Sequence, residues 1–528
     1  MSTPSESVVP PHSDAVMAEV IAQLEKQVES QKKELEYARW KIQVLEERLR
    51  QQRIARYGPG SEKLSNLQLE LLEEEPAVSR DEVQAESERE PVAPAPAIPG
   101  KPREPHPGRQ VLPAHLPRVE KVVVCTPEQC VCTGCGDQTT VIGYETSEVL
   151  DVKPAEYFIE VVKREKRACK KCEEQGVVAA PLAERIIDKS LVSDRVIIDT
   201  IVRKYADHCP VYRQSSILKR DTGIEISRAT MCGWIMRVGD LLVPVAGAMR
   251  SELLAGSYIQ ADETPVDVQT HDGRGTNHQG YLWQYGTPGG ATVFDFRMSR
   301  GREGPARFLN KFDGILQTDA YAAYDRGVGG ANIVHAACWA HARRRFIDAV
   351  KLNPQDAASI RAVELMDELF AIDAQARDEN MDHARRHTLR QEKAPPLLDQ
   401  IRTHILEMSK TVLPKSAAGQ ACGYSLSIWT RLLRFLEYPE LELSNNLAEN
   451  SMRLVAVGRK NWIHIGSEQA GPRVAAIFSV IESCRRLKIP VRNYLANILP
   501  GLANTPLQRI AELTPARWAT KMSTMHLV

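Results

Sequence analysis

The chain has 528 residues, too many for one compact core, so we expect three or four folded units. Its basic and acidic residues number 68 each, and this zero net charge argues against a simple basic protein that coats DNA. No signal segment opens the sequence, and no stretch approaches the roughly 20 apolar residues that span a membrane. We therefore expect a soluble, cytoplasmic protein.

The charge is unevenly distributed, although the total is neutral. Residues 62–90 contain ten acidic and three basic side chains, whereas residues 451–528 contain eleven basic and three acidic ones. The basic end could contact phosphates, but an ordinary solvated asymmetry is equally compatible with these counts. Eleven cysteines without a secretion signal favour metal binding or free thiols over disulfides.

A heptad pattern covers the first part of the chain. From residue 17 to residue 52 the seam positions alternate by four and three, and no Gly or Pro interrupts them. They are Met17, Ile21, Leu24, Val28, Gln31, Leu35, Ala38, Ile42, Leu45, Leu49 and Gln52. This pattern predicts a coiled coil over residues 15–57 and therefore a homo-oligomer. The alternative is an amphipathic helix that packs on its own domain.

An acidic stretch followed by a proline-rich one occupies residues 73–117. Such a composition cannot bury enough apolar surface to offset the entropy of ordering the chain. We expect a disordered linker here.

Two Cys-x-x-Cys pairs mark a small module at residues 120–180. Cys132 and Cys135 form the first pair, Cys169 and Cys172 the second, with 33 residues between them. Each pair can supply half of a tetrahedral site, so the pattern predicts a zinc-ribbon-like module with structural Zn²⁺. Cys130 could replace Cys132, and a redox pair is the alternative to a metal site.

Cations crowd the second cysteine pair. A basic surface on a zinc-held fold could contact DNA ends, while the plainer interpretation is a solvated rim. The DNA-binding candidates in this module are Arg164, Arg167 and Lys171.

Residues 188–250 have a helical pattern. Gly223 predicts a turn, and Ser227 is a suitable N-cap for a helix that begins with Arg228. A helix-turn-helix that reads DNA through this second helix and an ordinary helical hairpin are equally compatible with the pattern.

Three acids stand out further along the chain. Strands predicted at 257–262, 280–286 and 291–297, a helix at 303–312 and a strand at 314–318 follow the order of a ribonuclease H-like core. Asp262 and Asp319 end predicted strands, and Glu449 follows Ser444, Asn445 and Asn446, which are capping residues. Three such carboxylates could surround two magnesium ions. Each acid alone could equally be a turn residue or a first-turn charge.

Six sequence blocks in the second half of the chain are distinctive. They are Ala-Asp-Glu-Thr-Pro-Val at 261–266, Gly-Tyr-Leu-Trp at 280–283, Thr-Asp-Ala-Tyr-Ala-Ala-Tyr at 318–324, Ala-Cys-Trp-Ala-His-Ala-Arg-Arg at 337–344, Asn-Asn-Leu-Ala-Glu-Asn at 445–450 and Gly-Arg-Lys-Asn-Trp at 458–462. These blocks resemble the large transposase of the insertion sequence 66 family, and the resemblance runs in order from about residue 15 to about residue 500. One departure is Ser444, where the family often has Asp.

The resemblance implies a multidomain α+β protein that acts as a DDE-type DNA transposase. Its ribonuclease H-like core would cover 255–500, with a helical insertion at about 350–435 and a C-terminal tail at 501–528. The three acids would bind two Mg²⁺ ions, with Mn²⁺ as a possible substitute.

The implied partners are transposon-end and target DNA, together with accessory proteins of the same element. A bacterial protein of this kind would be nucleoid-associated when bound to DNA. Further DNA-binding candidates are His341, Arg343, Arg344, Arg459 and Lys460. The alternatives are a zinc-dependent DNA-binding regulator with an inactive core and a metal-dependent nuclease without strand transfer.

Overall fold

The computed structural model describes residues 22–32, 35, 157–168, 177–270, 276–325 and 327–525. The chain divides into two compact units, one of residues 1–58 and 178–528, the other of residues 59–177. Residues 22–32 are helical and exposed. Most of the predicted coiled coil, the whole predicted linker and the four predicted zinc ligands lie outside the described residues. Two short strands flank the second cysteine pair: β1 (Lys166–Ala168) and β2 (Val177–Ala179).

Three helices precede the main sheet. They are α1 (Asp194–Tyr205), α2 (Val211–Thr222) and α3 (Arg228–Leu254). Gly223 ends α2 in the left-handed conformation at φ 73°, which glycine adopts without steric cost. The Ser227 side chain then caps α3 by accepting a hydrogen bond from the Thr230 amide at 3.1 Å.

Helix α3 bears on the expectation that no stretch is apolar enough to cross a membrane. Among the helices of the described residues, α3 has the length and apolar composition that a membrane-spanning helix would need. Its residues Val238, Leu242 and Val245 are fully buried in the core, where α3 packs against a later helix, Ala470–Arg486. Packing inside the protein accounts for its apolar composition.

A mixed sheet follows α3. Its strands are β3 (Tyr258–Val268), β4 (His278–Gly286), β5 (Thr292–Arg297), β6 (Ile315–Thr318) and β7 (Val334–Ala337), with α4 (Glu303–Leu309) before β6. The spatial order is β5-β4-β3-β6-β7. The β3-β4 and β4-β5 pairs are antiparallel, whereas β6 and β7 continue the sheet in parallel.

Strand β3 continues six residues beyond Asp262, where the sequence pattern predicted its end. The continuation pairs with β4 as far as Val268 opposite His278. A short strand near the chain's end, His464–Ile465, also pairs with its last residues. Asp262 therefore lies within β3, just past its last register pair with β6, Gln260–Gln317.

A helical layer follows β7 and contains the second hydrophobic core. Its helices are α5 (Trp339–Leu352), α6 (Ala357–Asp378), α7 (His383–Thr411), α8 (Ala417–Ser427) and α9 (Trp429–Leu432). Trp339 makes edge-to-face contacts with Trp429 and Phe435 there.

The chain then returns to the sheet. The remaining elements are α10 (Asn446–Trp462), β8 (His464–Ile465), α11 (Ala470–Arg486), α12 (Val491–Ile498), α13 (Leu507–Ile510) and α14 (Pro515–Met525). Helix α11 is held to β5 because Ser479 and Ser483 accept hydrogen bonds from the amides of Phe294 and Thr292 at 2.8 and 2.9 Å.

Candidate active site

Neighbouring parallel strands bring Asp262 and Asp319 to the edge of the sheet at which β6 ends, while β3 continues past it. Gln260 of β3 pairs with Gln317 of β6, and each acid lies two residues beyond its member of that pair. Adjacent strands in a sheet are about 4.8 Å apart. The register therefore explains how two acids separated by 57 residues reach the same region.

Glu449 lies in the first turn of α10, which is attached directly to the strand that carries Asp262. The Gln260 side chain donates a hydrogen bond to the Ser444 carbonyl at 2.9 Å. The fully buried Asn445 side chain donates to the Ala261 carbonyl at 3.5 Å. The capping pattern predicted this helix start, but Asn445 makes no side-chain cap and binds β3 instead.

Two cations of α5 hold the Glu449 carboxylate. Arg344 donates to Oε2 at 3.0 Å, and Nε2 of His341 lies 3.4 Å from Oε1. Burial opposes protonation of His341, but the Cys338 sulfur and Glu449 outweigh it and raise the pKa of this imidazole to about 9. Within the described part of the chain, Glu449 Oε1 is buried without a hydrogen bond.

A fourth carboxylate, Glu263, lies beside these acids and was not among the residues that the sequence pattern predicted. Its side chain is 2 % exposed and accepts hydrogen bonds from Arg300, at 2.7 and 3.0 Å, and from the Tyr324 hydroxyl at 2.9 Å. Tyr324 belongs to the same block as Asp319. The adjacency of Glu263 to Asp262 is the one sequence signal that could have drawn attention to it.

The acids raise one another's pKa. Burial, then the charges of Glu449 and Glu263, raise the pKa of Asp262 to about 8. Burial likewise raises the pKa of Glu263, with a further contribution from Asp319 and opposition from Arg300 and Tyr324. Crowded carboxylates with raised pKa values are typical of functional sites, because a structural role gains nothing from the repulsion.

Hard divalent cations prefer carboxylate oxygens as ligands, so these acids suit such a cation. The buried Glu449 oxygen without a hydrogen bond and the repulsion at Asp262 are both features that a cation would relieve. No group of three His, Cys, Asp or Glu side chains within the described ranges is gathered closely enough to hold a metal ion.

The predicted DNA contacts near the acids have different surroundings. Arg343 is buried and pairs with Asp367 of α6, so its guanidinium is engaged within the helical layer. Arg344 is half-exposed beside Glu449. Arg459 donates to the Thr264 hydroxyl at 2.8 Å and to the Pro265 carbonyl at 2.6 Å, which ties α10 to β3. Lys460 is exposed.

The remaining DNA candidates lie away from these acids in the sequence. Arg228 is exposed in the first turn of α3. Arg164 and Arg167 are exposed, and Arg167 pairs with Glu165 at 2.9 Å. Lys171 and the zinc candidates Cys132, Cys135, Cys169 and Cys172 lie outside the described residues.

A sequence model described as the transposase IS66 family matches residues 189–473, more than half of the chain. The chain belongs to the IS66 transposase family. The family prediction is thus confirmed, and with it the transposase role that the family supports.

Two further models match the N-terminal half of this IS66 family member. One, described as the zinc-finger binding domain of transposase IS66, covers residues 129–173 and includes all four predicted zinc ligands. The other, described as transposase C of IS166 homeodomain, covers residues 44–120 and overlaps the predicted linker. The matches support DNA binding and a zinc finger in this chain.

Relatives in Sinorhizobium fredii align over most of the chain. The protein named uncharacterized protein y4jD is 31% identical over 423 residues, 77% of this chain and 81% of the relative. Uncharacterized protein y4qI is also 31% identical, over 480 residues that cover 87% of this chain and 86% of the relative.

Proposed function

We propose that this IS66 family member is a DDE-type transposase that cuts the ends of its insertion sequence and joins the resulting 3′-hydroxyl to target DNA. The observation that carries the proposal is the crowding of Asp262 by other carboxylates at the sheet edge, with Glu449 delivered by a helix fastened to β3. The order β5-β4-β3-β6-β7, antiparallel and then parallel, supports a ribonuclease H-like core.

Asp262, Asp319 and Glu449 are the residues that would hold two Mg²⁺ ions, with Mn²⁺ as a substitute. When bound, such ions activate the attacking oxygen and stabilise the leaving oxygen of a phosphoryl transfer. No Ser, Tyr or Cys nucleophile is needed for this chemistry. Structural Zn²⁺ on Cys132, Cys135, Cys169 and Cys172 would hold the module at 120–180.

The surrounding residues would hold these carboxylates in position and balance their charge. Gln260 and Asn445 fix the distance between β3 and α10, and Glu263 ties the segment that follows β6 to β3 through Tyr324. His341 and Arg344 balance the charge of Glu449. Because Arg344 is exposed next to this acid, it is suited to bind a DNA phosphate as well.

The remaining parts would bring the DNA ends together. The coiled coil at 15–57 would pair two protomers, and the zinc module together with residues 188–250 would recognise the terminal sequences. Accessory proteins of the element would assist, and the protein would work in the bacterial cytoplasm at the nucleoid. Helices α6 to α9 of the helical layer would form the proposed insertion at about 350–435 of the 255–500 core.

The test is magnesium-dependent cleavage and joining of a labelled transposon-end duplex, with the element's other proteins supplied. Wild type should give joined product, and Glu449→Gln should bind the duplex but give none. Glu392→Gln, an exposed carboxylate of α7, is the matched control and should behave as wild type. Binding without cutting by wild type would favour a regulator, and cutting without joining would favour a nuclease.

A further inference from the structure

Besides the contacts of α5 with Glu449, a tyrosine of the helical layer contacts the acid site at Asp319. Tyr424 of α8 donates a hydrogen bond from its hydroxyl to the main-chain carbonyl of Asp319 at 2.6 Å. Burial raises the pKa of Tyr424, so the hydroxyl keeps its proton and remains a donor. An element 105 residues away in sequence thereby fixes the backbone of a proposed metal-binding acid.

The backbone at Asp319 needs such support. Strand β6 ends at Thr318, and Ala320 has a φ of 65°, in the left-handed region that a residue with a Cβ occupies at a cost of about 1 kcal/mol or more. Local bonds hold the turn from within: the Thr318 hydroxyl accepts from the Ala320 amide at 3.0 Å, and the Asp319 carboxylate accepts from the Tyr321 amide at 2.9 Å. Tyr424 holds it from another layer of the molecule.

A second contact holds Tyr424 itself. The guanidinium of Arg345, on α5, lies over the tyrosine ring at 4.0 Å. Arg345 is exposed, and within the described residues it makes no ion pair, so its position depends on this stacking. The ring is thus restrained between α5 and α8, which keeps the hydroxyl directed at Asp319.

We propose that Tyr424 is a positioning residue for Asp319, by which the helical layer sets the geometry of the acid site. The proposal rests on the proposed function, because the position of Asp319 matters only if its carboxylate binds a cation. Tyr424 would touch neither the cation nor the DNA. Its contribution would be to hold the backbone turn that presents the carboxylate.

The first test is hydrogen exchange at the amides of residues 320–324 in the metal-free full-length protein. Tyr424→Phe removes one neutral hydrogen bond and keeps the ring, so exchange there should accelerate about fivefold, the value of one such bond. Tyr438→Phe is the matched control, since Tyr438 lies in the same layer and its hydroxyl makes no hydrogen bond with any described residue. Unchanged exchange in Tyr424→Phe would overturn the proposal.

The second test is Mn²⁺ affinity by titration calorimetry, with DNA affinity as a separate readout. Tyr424→Phe should bind Mn²⁺ about fivefold more weakly and bind transposon-end DNA as wild type does. Equal Mn²⁺ affinity in the two proteins would overturn the proposal. If wild type binds no Mn²⁺, the proposed metal chemistry fails, whereas the exchange experiment still decides whether Tyr424 holds the turn.

Discussion

Two arginine-carboxylate pairs in this chain serve different ends. Arg390 of α7 and Asp373 of α6 are buried, with side-chain exposures of 0 % and 2 %, and meet through two hydrogen bonds of 2.7 and 2.6 Å. Arg390 also donates to the Leu441 carbonyl at 2.8 Å. Arg344 and Glu449 are 48 % and 26 % exposed and share a single 3.0 Å bond.

The difference between the two pairs distinguishes a region with a structural role from a candidate functional site. Around Arg390 the charges are paired and hydrogen-bonded, as burial requires, so that region holds the helical layer together. At the sheet edge several carboxylates crowd one another, and an oxygen of Glu449 is left without a hydrogen bond in the described residues. Such repulsion lowers stability, and it is consistent with the proposal that a cation binds at this edge.

The largest effect expected is from breaking the buried pair. Arg390→Ala leaves Asp373 charged and buried, so the free energy of unfolding should fall by about 3–5 kcal/mol. Arg344→Ala removes a half-exposed pair and should cost about 1 kcal/mol or less. Urea unfolding of both variants measures this, and equal losses would refute the contrast.

The next effect concerns Glu263, a carboxylate at the sheet edge that is bonded as fully as Asp373. Glu263→Ala should destabilise the protein by about 2 kcal/mol, because Arg300 and Tyr324 lose their shared charged acceptor. Glu263→Gln keeps an acceptor and should recover part of that loss. If the Gln variant is as unstable as the Ala variant in thermal unfolding, the stabilisation comes from the charge of Glu263 and not from its hydrogen bonds with Arg300 and Tyr324.

A smaller effect should follow from the burial of Asp262 and its repulsion by Glu449 and Glu263, and should depend on pH. Because folding raises the pKa of this acid to about 8, the stability it contributes is complete below about pH 4 and is lost as the pH rises towards 8. Asp262→Asn removes this loss. With chelator present, the variant should match wild type near pH 4 and exceed it at pH 9 by at least about 1.4 kcal/mol, the value of one pKa unit.

That experiment has a clear contrary result. If the stability difference between Asp262→Asn and wild type stays constant from pH 4 to pH 9, neither burial nor the neighbouring carboxylates raise the pKa of Asp262. The carboxylates at the sheet edge would then be no less stably accommodated than the paired charges of the helical layer.

The smallest effect concerns two serines at helix starts. Ser227 caps α3 with a 3.1 Å bond, so Ser227→Ala should cost about 1 kcal/mol. The Ser444 hydroxyl lies 3.5 Å from the Asn446 amide and does not cap α10, so Ser444→Ala should change stability by a few tenths of a kcal/mol. Thermal unfolding measures both, and a larger loss at Ser444 would reveal a role for that position.

Much of the local structure could be read from the sequence. The strand predicted at 291–297 forms as Thr292–Arg297, and the Gly223 and Ser227 signals mark the turn before α3. These features depend on residues within a few positions of one another. The extension of β3 could not be read this way, because its pairing with β4 and β8 stabilises it beyond Asp262.

Three acids, their blocks and the family were determined by the sequence alone, because the kind of residue and its neighbours fix the chemistry that a segment can perform. The contacts that surround those acids were decided by the tertiary structure. Glu263 meets Tyr324, Asn445 meets Ala261 and Tyr424 meets Asp319 across 61, 184 and 105 residues. Such contacts form only when separate elements pack, so no local pattern records them.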